Sequence, residues 1–231
     1  MKKTIIVTGA AGNLGKTITE NLLREGYDVV ASIGPMDNPQ FMIDNNLTTK
    51  QVDLLDENAS RDFIHHVIDI QKSEVESLIC LVGGFTVGNI DETSSESVQK
   101  MIDLNFKTTY HVVRPIVKEF MAKGKPLKII LIGSRPGLLS EEGKDLVAYS
   151  LSKSLIFSLA DFINEDTNET GISASVIIPS TMDTPGTRKA MPDADFSRWV
   201  PKEQVYQTVS FILSEAGTMM RKPIYKLYNK A

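Results

Sequence analysis

The chain has 231 residues, of which 42% are hydrophobic and 23% charged, a composition typical of a globular protein rather than a disordered one. The net charge of −4, without any lysine- or arginine-rich block, argues against nucleic-acid binding. The single cysteine, Cys80, excludes an intrachain disulfide, and no apolar run is long enough for a signal peptide or a membrane span. We therefore expect one cytoplasmic domain over residues 1–231, with no membrane partner and no metal site.

Short apolar runs alternate with longer segments of helical period. The strand-like runs are residues 4–8, 27–33, 50–54, 77–82, 128–133, 173–178 and 223–228. The helix candidates are residues 14–25, 58–73, 95–122, 146–166 and 202–215. Thr93 and Glu96 predict a capping box at the start of the third helix. The alternation predicts an α/β fold with a doubly wound parallel sheet and helices on both faces. Two long irregular stretches, 34–49 and 180–200, are candidate functional loops.

A glycine-rich turn follows the first strand and leads into the first helix. Gly9, Gly12 and Gly15 permit a tight turn, close approach of the backbone to a pyrophosphate, and close packing of helix on strand. The phosphates would bind the free N–H groups of the helix start, at Asn13 and Leu14. The alternative is a turn that needs glycine only for its geometry. Its place at the first strand–helix junction favours dinucleotide binding.

Tyr149 is the only one of the six tyrosines with a lysine, Lys153, four positions later. Residues at this spacing share one face of a helix. An ammonium group beside a phenol favours the phenolate and lowers a pKa that is otherwise about 10. The phenol could then exchange a proton with a substrate oxygen near neutral pH. The alternative is a packed ring beside a solvated charge, but Ser134 at a strand end and Asn105 earlier in the chain favour the functional interpretation.

These residues resemble the short-chain dehydrogenase/reductase family nearly end to end, which implies a Rossmann-type fold that binds NAD or NADP. Thr8, Gly9 and Gly15 fit the family's Thr-Gly-x-x-x-Gly-x-Gly turn. Asn13 stands at the middle-glycine position, and Gly12 lies one residue earlier. This shifted glycine resembles the extended and atypical members of the family.

The resemblance implies further cofactor contacts. Asp53 and Leu54 match the family's acidic residue and its neighbour beside the adenine. Gly83 and Gly84 stand where the fourth strand of the family usually ends in Asn-Asn-Ala-Gly, so small residues against the cofactor are kept while the asparagines are lost. Pro179 and Thr184 match the family's proline and its threonine at the nicotinamide amide, whichever of NAD and NADP is bound.

The choice between NADP and NAD depends on the end of the second strand. NAD-dependent enzymes usually carry an acidic residue where this chain has Ile33. Asp37 could replace it only if its loop folds back. Absence of a fixed carboxylate removes repulsion against a 2′-phosphate, so the sequence favours NADP.

The resemblance also implies roles in hydride transfer with a small carbonyl or alcohol substrate. Tyr149 would be the general acid and base. Lys153 would hold down the tyrosine pKa and bind the ribose hydroxyls. Ser134 would orient and polarise the substrate oxygen, and Asn105 would help hold a water-linked proton path to Lys153.

Two segments, 78–89 and 183–199, resemble dihydropteridine reductases more closely. Those enzymes reduce quinonoid pterins with a Tyr-x-x-x-Lys pair and typically lack a serine like Ser134. Reduction of a pterin is therefore an alternative function, in which Phe85 and Trp199 could stack on a flat ring or simply pack a loop. A non-catalytic dinucleotide-binding regulator is a second alternative.

Assembly is expected as well. Related enzymes pair through the helices that carry Asn105 and Tyr149. The second of these has more apolar side chains than one sheet-facing stripe needs, namely Leu155, Ile156, Leu159, Phe162 and Ile163. We expect a homodimer or homotetramer of two-fold symmetry.

Overall fold

Seven strands form one parallel sheet in the computed structural model, which describes residues 2–70 and 74–230. The strands are β1 (Lys3–Thr8), β2 (Asp28–Ile33), β3 (Leu47–Gln51), β4 (Glu74–Cys80), β5 (Leu127–Ile132), β6 (Ile172–Pro179) and β7 (Ile224–Leu227). Their order across the sheet is β3-β2-β1-β4-β5-β6-β7. The predicted doubly wound parallel sheet is confirmed.

Helices connect the strands and cover both faces of the sheet. They are α1 (Asn13–Arg24), α2 (Glu57–Ile70), α3 (Ser95–Ile102), α4 (Thr108–Lys123), α5 (Arg135–Leu138), α6 (Ser140–Gly143), α7 (Val147–Asp166), α8 (Pro185–Ala190), α9 (Lys202–Leu213) and α10 (Glu215–Thr218). A π-helical turn (Asp103–Lys107) joins α3 to α4, and a 3₁₀ turn (Phe196–Arg198) follows α8. No helix within the described ranges is both long and apolar enough to cross a membrane.

Two apolar layers hold the helices to the sheet. α1 and α9 pack on one face, where Ile18 and Val209 join Ile5 of β1 in one buried cluster. α2, α4 and α7 cover the other face, where Ile116 and Ile156 lie in a second cluster. Because the central strands are buried on both sides, they carry continuous apolar runs such as Ile5–Val7 of β1 and Ile129–Ile132 of β5 instead of an alternating pattern.

The chain adds β2 and β3 on one side of β1 and then returns to add β4 on its other side, so the direction in which strands are added reverses between β1 and β4. In doubly wound folds this reversal opens a crevice at the carboxyl ends of the strands, where ligands bind. The glycine turn after β1 and the segment after β4 therefore border the same crevice.

Several predicted elements differ from the observed ones, and the fourth strand begins at Glu74 instead of residue 77. The third strand lies at Leu47–Gln51 instead of 50–54, because this exposed edge strand is defined by pairing with β2 and not by apolar residues. The single predicted helix 95–122 is divided by the π turn. Residues 71–73 of the predicted second helix lie outside the described residues. In the loop 180–200, expected to be irregular, α8 and the 3₁₀ turn are found.

The predicted capping box is also wrong. Ser94 caps α3, and its Oγ accepts the N–H of Ser97 at 3.2 Å. Thr93 instead donates its hydroxyl to the carbonyls of Gly88 and Asn89. The capping role therefore falls one residue later, because the Thr93 side chain is used to hold the preceding turn.

Candidate active site

The predicted site residues lie around the carboxyl edge of the sheet. Gly9 follows β1, Gly83 follows β4, Ser134 follows β5, and Pro179 ends β6. Parallel strands present their carboxyl ends at one edge, so residues far apart in sequence meet there. Tyr149 reaches the same edge from the first turns of α7.

Asn105 links the segment after β4 to α7. It is 1% exposed and lies in the middle of the π turn. Its Oδ1 accepts the N–H of Gly84 at 2.8 Å, and its Nδ2 donates to the Gly84 carbonyl at 3.2 Å and to Ser152 Oγ at 2.9 Å. Single π turns inside helices occur often at functional sites. These contacts are with protein groups, and they hold the segment after β4 against α7.

Ser152 is a site residue that the sequence analysis missed. It is fully buried, accepts from Asn105 and donates its hydroxyl to the Tyr149 carbonyl at 2.7 Å. Its place between Tyr149 and Lys153 on a buried helix face was the available signal. Ser152 thereby anchors the turn of α7 from which the tyrosine projects.

Lys153 lies one turn beyond Tyr149, and its ammonium group is buried. Its Nζ donates to the carbonyl of Ile132, the last residue of β5, at 2.9 Å. Burial lowers the pKa of Lys153 from 10.5 to about 8. A Cβ on Gly83 would lie 3.6 Å from this Nζ and only 2.7 Å from Asn105 Oδ1. Glycine at position 83 therefore makes room for both polar groups.

The Ser134 hydroxyl lies beside the Tyr149 phenol, near enough to influence its pKa. Ser134 is buried at the start of α5, where its Oγ accepts the N–H of Gly137 at 3.2 Å. Burial raises the pKa of Tyr149, and the neighbouring Ser134 side chain lowers it in part. The predicted lowering of this pKa by Lys153 is therefore wrong for this structure: desolvation outweighs the other effects, and the ammonium is bound to Ile132.

Phe85 forms an aromatic wall beside the tyrosine. Its ring lies edge-on to that of Tyr149, with 5.0 Å between the ring centroids, and it is 62% exposed. Backbone hydrogen bonds of 2.9 Å from Gly88 to Asp145 and from Val147 to Gly88 fix this segment along the start of α7. An exposed ring on a fixed backbone can contact a ligand.

Trp199, the second aromatic candidate, does not border the tyrosine in this way. It is 6% exposed, and its ring packs on Phe196 at 4.7 Å between centroids. The guanidinium carbon of Arg188 lies 4.7 Å from the centroid of the Phe196 ring. The same guanidinium forms a two-point ion pair with Asp183. Of the two predicted roles for Trp199, the structure shows loop packing.

The glycine turn after β1 fits a dinucleotide phosphate. Gly9 has a φ of +67°, and a Cβ there would lie 2.9 Å from the backbone nitrogen of Val82. A Cβ on Gly15 would lie 2.2 Å from the Gly9 carbonyl oxygen. Gly12 precedes α1 with no side-chain cap and no acidic residue in the first turn. The first N–H groups of the helix thus remain available to an anion.

Two other residues of the first strand and turn, Thr8 and Leu14, have buried side chains that serve the fold. The Thr8 hydroxyl is buried and accepts the N–H of Leu81 at 3.4 Å, which ties β1 to β4. Asn13 is exposed at the first position of α1, whereas the Leu14 side chain is buried in the core. Leu14 can therefore contribute its N–H but not its side chain.

The residues predicted beside the adenine and the nicotinamide amide have local partners. Asp53 is exposed, and its Oδ1 accepts the N–H of Leu55 at 2.9 Å. Leu54 is buried in the core, with its carbonyl 2.9 Å from His111 Nδ1. Thr184 caps α8, and its Oγ1 accepts the N–H of Thr187 at 3.1 Å.

Comparison with known proteins agrees with this arrangement. A family model described as short chain dehydrogenase matches residues 3–195. A dihydropteridine reductase of Dictyostelium discoideum is 28% identical over 211 residues, which cover 89% of this chain and 85% of that protein. A D-beta-hydroxybutyrate dehydrogenase of Rhizobium meliloti is 26% identical over 225 residues, covering 90% and 83%. The solved structure of ElxO with NADP bound superposes with a TM-score of 0.86 at 19% identity, covering 98% and 97%.

Proposed function

We propose a function for this chain, which belongs to the short-chain dehydrogenase family and is an NAD(P)-dependent oxidoreductase. We infer that it transfers a hydride between the nicotinamide of NAD(P) and a small carbonyl or alcohol substrate. One observation carries the proposal: the buried hydroxyl of Ser134 lies beside the phenol of Tyr149, while Lys153 lies one helical turn away. Two hydroxyls that meet at a crevice can bind the same substrate oxygen.

The glycine turn and the start of α1 would hold the pyrophosphate through backbone N–H groups. Gly83 and Gly84 would leave space for the rest of the dinucleotide, and Thr184 would lie at its amide end. When bound, the dinucleotide supplies the nicotinamide that gives or takes the hydride. The bound NADP named for the ElxO structure supports a dinucleotide in a fold of this kind.

Tyr149 would exchange the proton. Because burial raises its pKa, the phenol is protonated at neutral pH. A protonated phenol is set to donate to a carbonyl oxygen, which is the direction of reduction. Ser134 would donate its hydroxyl to the same oxygen and stabilise the negative charge that develops on it. Asn105 and Ser152 would keep the helix that carries the tyrosine in register with the glycines after β4.

The experiment that tests this proposal is a substrate panel. Oxidation of NADH and of NADPH would be followed with ketones, aldehydes, quinones and quinonoid dihydropterin. Turnover of a ketone or aldehyde that depends on Ser134 supports the proposal. A chain that oxidises neither dinucleotide with any member of the panel contradicts it.

Reduction of a pterin is the second candidate function. The exposed Phe85 ring beside Tyr149 favours it, since such a wall suits a flat conjugated ring. A relative that carries the name dihydropteridine reductase covers most of the chain. Phe85→Ala should then weaken turnover of quinonoid dihydropterin more than that of a small aliphatic ketone. Ser134→Ala separates the two candidates further, because we expect it to slow carbonyl reduction more than pterin reduction.

Association into a homodimer or homotetramer is part of the proposal. Of the five apolar residues expected to exceed one sheet-facing stripe, Ile156, Leu159 and Ile163 are buried within the chain itself. The outer stripe of α7 is instead formed by Leu151, which is 50% exposed, and Phe162, which is 72% exposed. Two large exposed apolar side chains on one long helix support a partner there.

A further inference from the structure

The loop after β2 folds back onto the end of its own strand. Asp37 Oδ2 accepts the N–H of Gly34 at 2.9 Å, and the Asp37 N–H donates to the Gly34 carbonyl at 3.0 Å. On the other side, Gln51 Nε2 donates to the Asp37 carbonyl at 3.4 Å. The Val52 N–H donates to the carbonyl of Ile33 at 2.9 Å. These contacts hold the Asp37 carboxylate between the ends of β2 and β3.

Gly34 provides the space that this carboxylate fills. Gly34 is the first residue after β2, and a Cβ built on it would lie 2.9 Å from Asp37 Oδ2. The carboxylate therefore occupies the position that a side chain of residue 34 would take. Although β2 ends in Ile33 without an acidic residue, an acidic group is present at the strand end, supplied from three residues further along.

The negative charge of this carboxylate is met by a backbone N–H and by no cationic side chain among the described residues. No lysine or arginine occurs in the sequence from residue 25 to residue 49. Among the residues that the structure describes, no ion pair to Asp37 is found within 4.0 Å. The neighbouring glycine turn is bound to the same strand end, because the Ala10 N–H donates to the Ser32 carbonyl at 3.1 Å. The carboxylate and the start of α1 thus border one end of the crevice.

We propose that Asp37 is the residue that selects the cofactor: its carboxylate at the end of β2 disfavours the 2′-phosphate of NADP(H), so that the chain binds NAD(H). A phosphate monoester carries nearly two negative charges at pH 7, and close like charges repel unless a cation separates them. The inference rests on the proposed dinucleotide function. It reverses the preference for NADP that Ile33 alone suggests.

The test is a pair of dissociation constants, for NADH and for NADPH, measured from the change in nicotinamide fluorescence on binding. Wild type should bind NADH at least about tenfold more tightly than NADPH at low ionic strength. Asp37→Asn removes the charge while its side-chain carbonyl can still accept from Gly34. This variant should bind NADPH at least about fivefold more tightly than wild type does. Asp62→Asn, the same change on the exposed surface of α2, should leave the ratio unaltered.

A second measurement distinguishes electrostatic repulsion of the 2′-phosphate from a steric effect of the Asp37 side chain. Raising the salt concentration to about 0.5 M should bring the two dissociation constants of wild type closer together, because salt screens the repulsion. Asp37→Ser provides a further uncharged variant if Asp37→Asn unfolds at a lower temperature than wild type. The inference is overturned if wild type prefers NADPH, or if both uncharged variants keep the wild-type ratio. Binding of neither dinucleotide would overturn the proposed function together with this inference.

Discussion

Asn105 and Ser152 share a buried hydrogen bond of 2.9 Å that joins the π turn to the helix carrying Tyr149. Asn105 bonds at the same time to both backbone groups of Gly84. A single amide thus fixes three parts of the crevice relative to one another. Removing the Asn105 side chain should therefore lower both the stability of the fold and the rate of turnover.

Asn105→Ala would leave the Gly84 N–H and the Ser152 hydroxyl without their present buried partner. Because Ser152 keeps its hydrogen bond to the Tyr149 carbonyl, the Gly84 N–H is the group left unsatisfied. An unsatisfied buried polar group costs about 1–3 kcal/mol, so we expect the free energy of unfolding in urea to fall by about that amount. Gln99→Ala, which removes an exposed hydrogen bond of 2.7 Å to Asp103 from the preceding helix, is the control and should change stability by less than about 0.5 kcal/mol. Equal effects of the two variants would contradict the positioning role.

Tyr149→Phe removes only the hydroxyl that we assign to proton transfer. We expect kcat to fall by roughly 10² to 10⁴, the range of general acid–base contributions, with little change in cofactor affinity. Steady-state kinetics on any substrate found with the panel would measure this fall. Tyr110→Phe, on the helix after the π turn, is the matched control and should leave kcat near that of wild type. An unchanged kcat for Tyr149→Phe would exclude the mechanism.

Lys153 should make stability depend on pH in alkaline solution. Its pKa is about 8 in the folded chain and 10.5 ordinarily, so between these values the unfolded chain binds more protons. The free energy of unfolding of wild type, compared with Lys153→Met, should therefore rise as the pH increases from 8 to 10.5. The shift corresponds to about 3 kcal/mol at most. Urea unfolding of both proteins at several pH values measures the difference, and a fall over this window would contradict the buried ammonium.

Two glycines of the first turn provide a matched pair of substitutions. A Cβ on Gly15 would lie 2.2 Å from the Gly9 carbonyl oxygen, whereas a Cβ on Gly12 would lie 3.4 Å from it. Gly15→Ala should therefore displace α1 from β1 and weaken dinucleotide binding by tenfold or more, about 1.4 kcal/mol. Gly12→Ala should have a much smaller effect. Calorimetric titration with NADH measures both, and a folded Gly15→Ala chain that binds like wild type would place the cofactor elsewhere.

Phe162→Glu should separate an assembly that forms through α7. The Phe162 side chain is 72% exposed within one chain, so a charge there costs the monomer little but would be buried without compensation between two copies. We expect light scattering to give a dimer or tetramer mass for wild type at micromolar concentration and a smaller mass for the variant. Met219→Glu, a change at another exposed apolar side chain, should keep the wild-type mass. A wild-type monomer would contradict the proposed assembly.

The alternation of strands and helices could be predicted from sequence because burial on both faces gives the inner strands continuous apolar runs. β1 and β5 were found within one residue of the predicted positions. β3 was misplaced by three residues, because an exposed edge strand has no such pattern and depends on the backbone of β2. Pairing with a neighbouring strand is a tertiary property that composition does not record.

The sequence by itself determined which residue types could do the chemistry: the glycine turn and the Tyr149–Lys153 spacing follow from local geometry along one helix or one turn. Only the tertiary structure decided what surrounds them. Burial raises the pKa of Tyr149, although the neighbouring lysine alone would predict a lower one. The loop after β2 carries the Asp37 carboxylate back to Gly34, three residues away, where the strand itself ends in Ile33. Desolvation and loop closure depend on contacts between distant segments, so no local pattern specifies them.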